Sequence, residues 1–188
     1  MIRETFSINR QDVVPIIRLY YKQAIDVLID TGATIPVWVD TEKDIRSVIS
    51  GAFDSGKEHM LGGFGSNIKT PVKVFTIPEF KFKSVKFVNL GVCISPKKLG
   101  RISLIIPASM FSYADMHIYK ADRDTRISFE FTNNTYNWKY LGEAGGYVYT
   151  LDTEENEKDS RLYNIAPSLW KENLTREEVI EKMKGLIK

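Results

Sequence analysis

Ala24-Ile25-Asp26-Val27-Leu28-Ile29-Asp30-Thr31-Gly32-Ala33-Thr34-Ile35-Pro36-Val37-Trp38-Val39 is the stretch on which the reading of this chain turns. Val27-Leu28-Ile29 is an all-apolar strand that ends on a carboxylate. Burying a lone ionised carboxylate is costly unless its charge is shared, hydrogen-bonded or neutralised. Thr31-Gly32 predicts how that cost is met: a tight turn after the strand aims backbone N–H groups at the carboxylate, and glycine permits the close approach.

Outward from this stretch the chain keeps the same texture. Short runs of Val, Ile, Phe, Tyr and Thr are broken by Gly, Pro, Asn and Asp from Val13 to Phe131, the pattern of strands and turns. The expected strands are Val13 to Tyr21, Ala24 to Asp30, Pro36 to Val39, Glu58 to Gly63, Ile68 to Ile77, Phe82 to Ser95, Arg101 to Ile106, Ala114 to Tyr119 and Thr125 to Phe131. A short helix is expected from about Thr41 to Ser50, where acids precede Ile45, Val48 and Ile49 at helical spacing, and a second after Pro107. The fold class is therefore mainly β.

After Phe131 the pattern shifts, so the chain divides into a body of residues 1–132 and a C-terminal extension of residues 133–188. Trp138 to Leu141 and Tyr147 to Leu151 flank Gly142-Glu143-Ala144-Gly145-Gly146 and read as a hairpin. Asp152 to Ser160 is rich in acids and reads as a solvated loop. Thr175 and Glu178 form a capping box ahead of the apolar stripe Val179, Ile180, Met183, Leu186 and Ile187, which predicts a helix.

The chain has 188 residues, of which 43% are hydrophobic and 27% charged, so it can bury a core. With 26 Lys plus Arg against 24 Asp plus Glu, the formal charge of +2 encodes no bulk pull toward nucleic acid or an anionic membrane. One cysteine, Cys93, excludes an intrachain disulfide framework and fits a reducing compartment, so a cytoplasmic location is expected. Nowhere do the apolar residues run long enough to span a bilayer, and Met1 to Arg10 carries no secretory pattern.

Val27-Leu28-Ile29-Asp30-Thr31-Gly32-Ala33 resembles the active-site loop of aspartic proteases, and Ala33 resembles the retroviral branch, the retropepsins. His59-Met60-Leu61-Gly62-Gly63-Phe64-Gly65-Ser66-Asn67-Ile68 is similar to that family's glycine-rich flap and follows Asp30 at about the family's spacing. Leu104-Ile105-Ile106-Pro107-Ala108 sits in the order of the family's apolar run before a short helix. Pro107 stands where the family has Gly, and Thr34 and Ala108 replace both members of its Asp–Arg ion pair. The resemblance covers about Val13 to Tyr119. It implies a closed-barrel-like retropepsin-type fold acting as an aspartic endopeptidase on an extended peptide.

Independently of the family, carboxylate-driven peptide hydrolysis needs two acids that share a proton. One Asp-Thr-Gly in a chain too short for a second lobe supplies half, so a homodimer is expected, with Asp30 of each chain as the catalytic pair. By resemblance Thr31 braces the two loops across the axis and Gly32 and Ala33 complete the active-site loop. Met60, Leu61, Gly62, Gly63, Phe64 and Gly65 close over substrate, and Ile105 and Ile106 line its pocket. No cofactor, metal, nucleic-acid partner or membrane is implied.

Other motifs read as ordinary structure. Gly51-Ala52-Phe53-Asp54-Ser55-Gly56-Lys57 has phosphate-loop spacing but continues into Glu58 and a strand rather than Ser or Thr and a helix. Asp54-Ser55-Gly56 reads as a surface turn, His59 as a residue at the flap base or in solvent, and Cys93 as a core residue. Two other functions remain open at the level of sequence. One is a protease-like dimer that binds peptides without cutting them. The other is a single-stranded nucleic-acid binder using Lys81, Lys83 and Lys86 among Phe80, Phe82 and Phe87.

Overall fold

The computed structural model describes residues 1–8, 14–63, 66–111, 114–121, 124–144, 147–151 and 160–162. Strands dominate: β1 (Ile2–Ile8), β2 (Ile16–Tyr20), β3 (Ala24–Asp30), β4 (Val37–Trp38), β5 (Phe53–Gly63), β6 (Ser66–Phe82), β7 (Val85–Ile94) and β8 (Leu104–Pro107). β9 (Ala114–Ala121), β10 (Asp124–Phe131), β11 (Thr135–Asn137), β12 (Lys139–Ala144), β13 (Tyr147–Leu151) and β14 (Ser160–Leu162) follow. The mainly β expectation holds. The helix expected over Thr41 to Ser50 shrinks to α1 (Ile45–Val48), because Asp44 caps it by accepting from the Arg46 N–H at 2.9 Å. The second short helix expected after Pro107 is a 3-10 helix, Ala108–Phe111.

β1 is an addition to the sequence reading. Ile2, Glu4, Phe6 and Ile8 turn toward the interior while Arg3 and Ser7 face solvent, the period of a half-buried strand. It pairs antiparallel with β10, and β10 with β9, in a three-stranded sheet. Phe6, Ile127, Phe129 and Phe131 from this sheet meet Phe80, Phe82 and Phe87 from the larger one in the main core. Phe80, Phe82 and Phe87 are wholly buried, so they offer no platform on which a nucleic-acid base could stack.

The larger sheet does not close. Its path runs β14-β13-β12-β7-β4-β8-β3-β2, and among the described residues no pairing joins β2 back to β14. A barrel needs every strand to give one edge to each of two neighbours around a cycle. Strand β7 breaks that rule: β6 takes one edge along its length, while β11, β12 and β4 divide the other. The closed-barrel expectation is therefore corrected to an open, forked sheet.

The extension is continuous with this sheet. β11 lies parallel to β7, Lys139 of β12 opposes Leu90, and the Gly91 N–H donates to the Trp138 carbonyl at 3.3 Å. The expected hairpin is present as β12–β13. The capped helix expected at residues 175–187 and nearly all of the acidic stretch, residues 152–159, lie outside the described residues.

Gly91 is what lets the extension lie so close. A Cβ there would stand 2.3 Å from the Tyr140 Cβ and 3.3 Å from the Tyr140 nitrogen, and backbone cannot yield as a flexible side-chain end can. We expect Gly91→Ala to cost about 2–3 kcal/mol, lowering Tm by roughly 5–10 °C in a calorimetric scan. A melting point within a degree of the parent would mean that β12 does not rest on β7.

Candidate active site

Asp30 ends the central strand of a three-strand layer. β2 flanks β3 antiparallel on one side, and β8 runs parallel on the other with Val27 opposite Leu104 and Asp30 opposite Pro107. Alternation along β3 sends Val27 and Ile29 into the main core and Leu28 into a second cluster with Ile35, Val37, Val39, Val72, Val74, Cys93, Ile105 and Tyr140. Asp30 shares the face of Leu28. It is half-buried at the rim of the second cluster rather than inside the main core.

The turn supplies the backbone donor the sequence predicts, but not a contact that only glycine could make. The Gly32 N–H donates to Asp30 Oδ1 at 2.8 Å, a charge-assisted bond that holds the carboxylate in place. A Cβ at Gly32 would lie 3.4 Å from that oxygen, an ordinary contact. Gly32 thus contributes its donor more than its lack of a side chain. Thr31 is exposed on the turn, and Ala33 is half-buried.

The hairpin of β5 and β6 comes over this loop. Its strands pair from Phe53 opposite Thr76 to Gly63 opposite Ser66. A bulge between Asp54 and Lys57 interrupts the ladder: Gly56 takes φ +73, and Asp54 Oδ1 accepts from the Gly56 N–H at 2.9 Å. Asp54-Ser55-Gly56, expected as a surface turn, is an exposed bulge within β5. The Gly56 N–H and the Lys73 ammonium hold the Asp54 carboxyl below the ordinary carboxylate range.

Asp30, Gly32, Ala33, Thr34, Ile35, Val37, Leu99 and Ile105 from the body, with Leu61 and Gly62 from the hairpin, line one cavity of about 330 Å³. Among these described lining residues Asp30 is the one carboxylate. An acid facing a small apolar chamber under a hairpin can activate a water against a bound carbonyl once a second acid shares its proton. A larger cleft of about 610 Å³, between residues 40–45, β6 and the end of β7, holds none of the expected site residues. Its acids are engaged: Asp40 Oδ2 accepts from Ser103 Oγ at 3.3 Å, and Asp44 from Arg46.

No family model and no curated protein matches the chain. Among solved structures, the chain is similar to the crystal structure of a retropepsin-like aspartic protease from Rickettsia conorii, at 12% sequence identity and a TM-score of 0.44. That match covers 68% of this chain and 90% of the other.

The expected residues divide by strand alternation. Asp30, Gly32, Ala33, Leu61, Gly62 and Ile105 come together at the cavity, and Thr31 stands outside it. Ile106, expected in the pocket, instead lies wholly buried in the main core, because neighbouring residues of β8 face opposite sides. Met60 is turned to the hairpin's outer face, 44% exposed. Gly63 ends β5, while Phe64 and Gly65 lie outside the described residues. Sequence reasoning missed Thr34, Ile35 and Val37, whose i, i+2 spacing after the turn carried the signal for the latter two, and Leu99, whose loop carries none. His59, expected at the flap base or in solvent, is at the base and buried, with Nδ1 3.2 Å from the Tyr140 hydroxyl.

Proposed function

We propose that this chain is an aspartic endopeptidase of retropepsin type, active as a homodimer in which Asp30 from each copy activates water against an extended peptide. The observation that carries the proposal is the single cavity joining Asp30 and its Gly32 donor to Leu61 and Gly62 of the hairpin. Substrate would lie between loop and hairpin as an added strand, its side chains alternating between the apolar wall around Ile105 and solvent. Among the described residues no helix is long and apolar enough to cross a membrane, and a single cysteine, the buried Cys93, suits the reducing cytoplasm.

The second acid requires a second copy, and β9 supports where it docks. Met116 sits opposite Phe129 and Ile118 opposite Ile127, continuing the buried face of β10. Yet Met116 is 40% and Ile118 56% exposed. Among the described residues the outer edge of β9 has no strand partner. Exposed apolar edges of this kind pair with another chain unless blocked. An antiparallel pairing of two β9 strands centred on His117 sets Met116 of each copy against Ile118 of the other on one face.

Incubating the pure protein with a diverse peptide library between about pH 4 and 8 tests the function, with cleavage products expected by mass spectrometry. Ile118→Lys places a charge at the centre of the proposed edge. We expect sedimentation to shift from dimer to monomer and cleavage to fall with the dimer fraction. A parent that is monomeric at every concentration would leave the site half built. A dimer that cuts nothing would favour the peptide-binding reading, which rests on the same lone carboxylate.

A further inference from the structure

Tyr140 belongs to the extension, outside the part of the chain in which the active-site motifs fall, yet its side chain ends beneath the hairpin. It is buried in the second cluster with Leu28, Val37 and Ile105. Its hydroxyl lies 3.2 Å from His59 Nδ1 and 3.5 Å from the Glu58 carbonyl oxygen, and its ring meets the His59 imidazole edge-on at 5.8 Å, 87°. With the proton on Nδ1, His59 donates to the hydroxyl and the hydroxyl donates to Glu58, so one phenol ties two consecutive residues of β5.

His59 and Leu61 lie on the same face of β5, two residues apart. Leu61 packs against the second cluster and lines the cavity with Asp30. The other end of Tyr140 lies close against Gly91, as described above. A contiguous path thus runs from β7 through Gly91, Tyr140 and His59 to Leu61.

We infer that Tyr140 is a positioning residue for the hairpin: through His59 and Glu58 it sets the root of β5, and with it the height at which Leu61 and Gly62 stand over Asp30. The extension is then a structural part of the substrate-covering device. This rests on the peptidase reading for its consequence in catalysis, but not for the coupling itself.

The test uses the full-length protein with Tyr140→Phe, which removes the hydroxyl and keeps the ring, His59→Phe, and the double variant. Hydrogen–deuterium exchange of the amides in residues 57–62 and 68–74 is expected to quicken about five-fold in His59→Phe, which cuts one of the hydroxyl's two bonds, and at least as much in Tyr140→Phe, which cuts both. In the double variant it should quicken no further than in Tyr140→Phe, since the His59 bond is already lost there. Amides of β3, β8 and β10 should keep the parent's rates. Peptide cleavage by Tyr140→Phe should show a raised KM with kcat little changed, a split that global destabilisation does not produce.

Unchanged exchange in the hairpin, equal acceleration throughout the body, or additive effects in the double variant would each overturn the inference. If the parent cleaves nothing while the hairpin alone loosens, the positioning role stands and the peptidase reading falls. Cleavage by the parent with an unmoved KM in Tyr140→Phe and unmoved exchange does the reverse.

Discussion

Asp30→Asn should leave a folded dimer that cleaves at least about a thousand-fold more slowly than the parent, the loss expected when the group that moves the proton is removed. In the proposed dimer the substitution changes both copies at once, so no Asp30 carboxylate would remain to take a proton from water or to share one with its partner. Structure should be spared. An asparagine oxygen can still accept from the Gly32 N–H that Asp30 Oδ1 receives at 2.8 Å, and Asp30 sits half-buried at the cavity rim rather than in the core. Melting within a degree or two of the parent, alongside lost turnover in the peptide-library assay, is the expected pair of results. Residual cleavage above a tenth of the parent rate would mean that another group activates the water.

The second large effect is on stability. Phe82 is wholly buried, with ring centroids 4.8 Å from Phe6, 5.2 Å from Phe111, 5.2 Å from Phe129, 6.1 Å from Phe131 and 6.3 Å from Phe87. These rings come from β1, the 3-10 turn, β10 and β7, so Phe82 locks the three-stranded sheet onto the larger one. Phe82→Ala removes the transfer energy of the ring, the edge-on contacts around it and leaves a cavity, together about 4 kcal/mol. Tm should fall by roughly 10–15 °C. Phe53→Ala, at a ring 50% exposed on β5, serves as the control and should move Tm little. A loss below about 1 kcal/mol for Phe82→Ala would show that the two sheets are not joined there.

Both predictions concern residues whose role comes from different levels of the fold. The Asp30 turn was legible because its cause is local: a run of aliphatic residues makes the strand, and Asp-Thr-Gly brings the Gly32 donor back onto the carboxylate within two residues. The hairpin was legible for the same reason, since alternating strands on either side of Gly62-Gly63-Phe64-Gly65 specify their own turn. β1 was missed despite its alternation of Ile2, Phe6 and Ile8, because Glu4 interrupts the apolar face; its buried carboxylate is explained by Ser84 and Lys83 from another strand end.

The break at Lys83-Ser84 marks where local signals stop. Phe82 to Ser95 reads as one strand because no Gly, Asn or Asp stands at Lys83-Ser84 to announce a turn. The chain nevertheless reverses there, with Lys83 at φ 57, a conformation that costs a side-chain-bearing residue energy. Contacts distant in sequence offset that cost: the Lys83 ammonium bonds the Thr5 carbonyl and lies 4.1 Å from the centre of the Phe6 ring.

Sequence alone determined the mainly β class, the carboxylate turn and the hairpin 30 or so residues beyond it, because periodicity and turn chemistry act over a few residues. Tertiary structure alone decided that the sheet forks at β7 instead of closing, that Ile105 faces the cavity while Ile106 faces the core, and that Tyr140 reaches the root of the hairpin. Those outcomes depend on which distant surfaces meet, and a close approach such as Gly91 on Tyr140 exists only after the chain has folded.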